Sequence, residues 1–103
     1  MGISSLLPSS SPVSGSYLQM IPVCKYDPET GELLGKSEEM PIDHANDITY
    51  NEKTDLLIVT HNAPNRQLVT YVNPHTLEYL GTRDIGYPIY CMSYNEKRDQ
   101  YIV

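Results

Sequence analysis

Two short stretches concentrate the residues most able to do chemistry. The first is His44-Ala45-Asn46-Asp47 and the second is His61-Asn62. Asn46 and Asp47 offer neighbouring hard oxygen donors of the kind that hold calcium or another divalent cation, and His44 or His61 could serve as a further ligand or a base. An equally simple chemistry competes: Asn and Asp at the start of a strand also satisfy backbone N–H groups. Asn62 adds a polar side chain beside His61, so His44, His61 and Asn62 are candidate ligand-binding residues and Asn46 and Asp47 candidate metal ligands.

The elements that must position these residues are revealed by a repeat. Tyr50 to Val59 returns 44 residues later as Tyr94 to Val103, with seven of ten residues shared: Tyr50, Asn51, Glu52, Lys53, Asp55, Ile58 and Val59. A second echo relates Asp27-Pro28-Glu29-Thr30-Gly31-Glu32-Leu33-Leu34-Gly35 to Asn73-Pro74-His75-Thr76-Leu77-Glu78-Tyr79-Leu80-Gly81, offset by 46. Such a period marks a repeat architecture. The polar group is not repeated, because Pro88-Ile89-Tyr90-Cys91 stands where His44-Ala45-Asn46-Asp47 stands in the first copy.

No stretch of ten or more residues places apolar side chains at helical spacing, whereas short apolar runs alternate with Asn, Asp, Pro and Gly clusters, which predicts strands and tight turns. Hairpins are expected to turn at 27–31, 51–55 and 73–76. Pro22 limits the extended segment from Leu18 to Tyr26 to an edge or a bulge, and Leu56 to Thr60 should be buried on both faces. Met40 to Ala45 reads as a crossing loop. Pairing Tyr50 with Leu56 would set Asn46 opposite Thr60 and bring His44 toward Asn62, gathering the polar residues at one rim.

Four strands per period of 44 to 46 fit a β-propeller blade. The expected fold is all-β, a β-propeller fragment with strands c and d of one blade, one complete four-stranded blade, and strands a and b of the next. Residues 1–18, rich in Ser and Pro, read as a flexible linker and residues 19–103 as the partial propeller. One whole blade and two halves fall short of a self-sufficient array, which predicts a piece of a longer protein whose isolated form self-associates through its edges.

Composition narrows the partners. Thirteen acidic against seven basic residues give a net charge of −6, which disfavours nucleic acid. No apolar run reaches the roughly 20 residues of a membrane helix, and the N-terminal residues match neither a secretory signal nor a myristoylation pattern. Cys24 and Cys91 have no zinc-type spacing and read as small strand residues. Nine tyrosines with no Phe or Trp suit strands that bury a ring and keep a hydroxyl wet. His75 should be a solvated turn residue.

The segments YDPETGELLG, HANDITYNEKTDLLIVTHN, VNPHTLEYLG and YNEKRDQYIV, within residues 20–103, resemble the blades of bacterial β-propeller proteins of the YVTN/NHL type, distantly similar to gluconolactonase and senescence-marker-protein propellers. The resemblance implies a non-catalytic binding or scaffold module for a protein or carbohydrate ligand, in an extracellular or cell-envelope setting. The alternative it implies is part of a metal-dependent hydrolase or lactonase, in which an Asn opening an inner strand holds the metal. Asn46 is the position that matches, and the other ligands of such a site have no counterpart here.

Overall fold

The computed structural model describes residues 18–103; the linker expected over 1–18 lies outside them except for Leu18. All regular structure among the described residues is β. Ten strands form: β1 (Met20–Ile21), β2 (Cys24–Tyr26), β3 (Leu33–Lys36), β4 (Met40–Pro41), β5 (Asp47–Asn51), β6 (Leu56–Thr60), β7 (Leu68–Val72), β8 (Tyr79–Asp84), β9 (Ser93–Asn95) and β10 (Gln100–Ile102). Strands β5 to β8 make one antiparallel sheet in chain order, flanked by the two-stranded pairs β1–β4, β2–β3 and β9–β10.

Local chemistry sets the turns. At the first, Asp27 Oδ1 accepts from the Glu29 and Thr30 N–H groups at 2.8 and 3.2 Å, and Gly31 completes the turn at φ 74°. Asn73 Oδ1 does the same for His75 and Thr76 at 2.8 and 3.1 Å. In the repeated hairpins Asn51 Oδ1 accepts from Lys53 N–H at 3.0 Å, and Asn95 Oδ1 from Lys97 N–H at 3.1 Å. Asp55 and Asp99 close them at φ 55° and 51°, the left-handed region that Asp tolerates better than most residues. The Tyr50 and Tyr94 hydroxyls each donate to the closing aspartate at 2.7 Å. The shared Tyr-Asn-Glu-Lys-x-Asp letters are therefore one turn, built twice.

Pro22 divides the first extended segment. Beyond it Val23 bonds Ser37 twice, its N–H to Ser37 Oγ at 2.8 Å and its C=O from Ser37 N–H at 2.9 Å, so β2 follows β3 while β1 turns to pair with β4. The crossing expected over Met40–Ala45 thus begins with a short strand. The fourth strand of the sheet begins only at Tyr79, because Leu77 takes φ 63° to finish the turn and buries its side chain.

Both faces of the four-stranded sheet are covered, each by a different neighbour. Val59 and Val72 pack with Met40 and Ile42 of the preceding unit. On the opposite face Leu56, Ile58, Val69 and Tyr71 pack with Ile89, Met92 and Tyr101 of the following unit. Double coverage explains why β7, Leu-Val-Thr-Tyr-Val, is buried at every position and why β6 reads as an unbroken apolar run.

Candidate functional site

Strand β5 aims alternate side chains at the following unit. Asp47, Thr49 and Asn51 share one face by the two-residue period of a strand. Asp47 Oδ2 accepts from Met92 N–H at 3.0 Å, Thr49 Oγ1 accepts from Tyr94 N–H at 3.0 Å, and Asn51 Nδ2 donates to the Tyr101 hydroxyl at 2.8 Å in the interior. Asn46 Nδ2 donates to the Tyr90 carbonyl. The bonds from Asn46, Asp47 and Thr49 join residues one repeat apart and stitch β5 to the segment running into β9, and the Asn51 bond adds β10.

The two candidate metal ligands therefore lie in this seam. Asp47 Oδ1 accepts from Ile48 N–H at 2.9 Å, so both carboxylate oxygens have backbone donors. Among the described residues no three His, Cys, Asp or Glu side chains converge as a metal site.

His61 belongs to a second assembly. Its ring is fully buried, with Nδ1 2.7 Å from Asp43 Oδ2 and Nε2 2.7 Å from Thr70 Oγ1. A carboxylate only accepts, so Nδ1 carries the proton and Nε2 of the neutral ring accepts from Thr70. The chain continues through Thr82 Oγ1, 2.9 Å from Thr70 Oγ1, to the Tyr79 hydroxyl at 2.8 Å. At the other end Asp43 Oδ2 accepts from Asn65 Nδ2 at 3.2 Å, and Asp43 Oδ1 from the backbone N–H of Gln19 at 3.1 Å. Burial holds the His61 pKa below its ordinary value, against the opposing pull of the Asp43 hydrogen bond and charge.

An acid, a histidine and a hydroxyl in this order is the arrangement that activates a nucleophile. Here Thr70 is fully buried and bonds Thr82 as well as His61. The geometry instead satisfies buried polar groups and ties β7, β8 and the residue that follows β6 to the loop before β5 and to Gln19.

The rim expected from sequence is split. His44 is exposed, and Asn62 serves its own turn, its Oδ1 accepting from Ala63 N–H at 2.8 Å and its carbonyl from Asn65 N–H at 3.0 Å. The pairing is shifted by one residue from the expected register: Asn51, not Tyr50, lies opposite Leu56, and Asp47, not Asn46, opposite Thr60. The cause is the Asn51 cap, which makes Asn51 the last strand residue before a four-residue turn. A one-residue shift exchanges the two faces.

Asp43, Thr70, Thr82 and Tyr79 escaped the sequence reading. Asp43 lies one residue before the unrepeated stretch, and Thr70 is a hydroxyl within an otherwise apolar strand; both were legible signals of a buried polar contact. His75 is solvated, as expected, and also places Nε2 2.7 Å from Asp55 Oδ2. Cys24 lies in β2 but Cys91 precedes β9 outside any strand, and both are exposed free thiols.

Comparison of the chain with protein-family models, curated proteins and solved structures returns no match.

Proposed function

We propose that this chain is a segment of a β-propeller acting as a non-catalytic binding or scaffold module, with a protein or carbohydrate ligand. The observation that carries this reading is the seam: Asp47 and Thr49 each bond a backbone N–H 45 residues later, so equivalent strands of successive units run side by side. Inner strands of neighbouring blades have that relation. The candidate metal ligands Asn46 and Asp47 are engaged in joining units and His61 in a buried network, which favours a scaffold over a hydrolase.

Asp47→Ala tests it. Loss of the Met92 N–H acceptor should lower unfolding stability by about 1–3 kcal/mol in urea titrations. Calorimetric titration with Ca²⁺, Mg²⁺ or Zn²⁺ should give no saturable heat that the variant lacks. A saturable wild-type heat abolished by Asp47→Ala would overturn the reading in favour of a cation-dependent site.

A further inference from the structure

We propose that the hydroxyls of Tyr79, Thr82 and Thr70 form a proton relay that connects the buried His61 ring to a surface cleft and reports its protonation state there. The inference stands on hydrogen-bond geometry and does not depend on what the module binds. The cleft, about 430 Å³, lies between the connection from β3 to β4 and the turn from β7 to β8, and is lined by Lys36, Ser37, Glu38, Glu39, Glu78 and Tyr79, among others. Tyr79 is 42% exposed there, whereas Thr70 and His61 are fully buried.

A backbone irregularity makes the connection. Tyr79 pairs with Val72 and Gly81 with Tyr71, so Leu80 is an extra residue in β8. This bulge sets the side chains of Tyr79 and Thr82 on one face, where a regular strand would send residues three apart to opposite faces. Thr70, paired with Thr82, shares that face with Val72, which packs on Met40 and Ile42 of the preceding unit. Relay and cleft are therefore both built between that unit and the four-stranded sheet.

The direction of each proton follows from valence. Nδ1 of the neutral His61 ring donates to Asp43, so Nε2 accepts from Thr70. A hydroxyl has one proton to donate. Thr70 directs its own to His61, so Thr82 donates to Thr70 and Tyr79 donates to Thr82. All three protons point inward, and the Tyr79 oxygen offers only lone pairs to the cleft. A proton delivered to that oxygen by a hydronium ion or a buffer acid reverses the series. The Tyr79 proton passes to Thr82, the Thr82 proton to Thr70 and the Thr70 proton to Nε2. Each oxygen breaks one O–H bond and forms another, His61 gains an N–H bond, and the net change is one proton taken up. Every hydroxyl then points outward, and Tyr79 donates into a cleft lined by three carboxylates. The charged group in contact with the ring is Asp43, from the loop before β5, itself bonded by Asn65; β6, β7 and β8 present Val59, Thr70, Val72 and Thr82 on this face. Burial disfavours the imidazolium, so the reversal falls below about pH 6.5.

The test follows both ends of the relay by NMR in the 103-residue chain, with isotope-labelled histidine and tyrosine, through an acid titration. The Tyr79 Cζ signal should shift with the same midpoint as the His61 ring nitrogens. In His61→Gln that shift should vanish; one that survives arises from Glu38, Glu39 or Glu78 and would overturn the proposal. In Thr82→Val the His61 midpoint should fall by at least about 0.5 pH unit, because a protonated Nε2 leaves the Thr70 hydroxyl without an acceptor, and Tyr79 should no longer follow it. Tyr79→Phe removes the outer hydroxyl at a partly exposed position and should also lower the His61 midpoint, which keeps the test open if Thr82→Val does not fold. An unchanged midpoint in these variants, or a flat Tyr79 signal through the wild-type His61 titration, would overturn the relay. So would a His61 ring that stays neutral until the protein unfolds.

Discussion

The hairpins β5–β6 and β9–β10 share seven of ten residues and the same turn, yet their surroundings differ. Each carries an Asn that caps the turn, an Asp in the left-handed region and a Tyr hydroxyl bonded to that Asp. Ile58 is nevertheless in the core and Ile102 on the surface. The turn is closed by residues within five positions of one another, so it forms wherever those letters occur. Burial is conferred by what packs above the strand: Ile89, Met92 and Tyr101 cover the first hairpin, and no described residue of the chain occupies the equivalent place over the second.

The largest expected effect divides the two isoleucines. Ile58→Ala should cost about 2–5 kcal/mol in urea unfolding, through lost burial and the cavity left behind. Ile102→Ala, measured at dilution, should change stability by less than about 0.5 kcal/mol. Equal losses would mean that the second hairpin is buried in the protomer after all.

The next effect contrasts the two polar assemblies. His61→Gln should cost about 1.5–3 kcal/mol, because Asp43 loses a buried donor and Thr70 an acceptor. The histidine also carries a pH signature. Its folded pKa is depressed by burial, so the unfolded chain binds the proton more readily, and the stability it contributes is complete above about 6.5 and is lost as pH falls below that value. Urea midpoints at pH 7.5 and 5.5 should fall with acidification in the wild type, and the part of that fall due to His61 should vanish in His61→Gln.

The smallest effect returns to the turns. Asp55 accepts from Tyr50 and also lies 2.7 Å from His75 Nε2, whereas Asp99 accepts from Tyr94. Asp55→Ala should therefore destabilise only slightly more than Asp99→Ala, since both sites are solvent-accessible and exposed pairs contribute little. Thermal midpoints of the two variants in parallel would show the order, and the gap should narrow in high salt.

By itself the sequence determined the all-β character, the positions of the turns and the unit of four strands. Asp27, Asn51 and Asn73 direct their own neighbouring amides, and that information is local. Even the one-residue register shift was written there, in the capping role of Asn51. The fate of the polar residues was decided only by the tertiary structure. His61 and Asn62 are adjacent in the chain, yet one closes a buried network with Asp43 and Thr70 and the other serves a surface turn. Asn46 and Asp47 read equally well as metal ligands and as backbone acceptors until Tyr90 and Met92 were seen to lie beside them. A polar side chain's role depends on partners brought near by folding, and those partners lie 9 to 45 residues away.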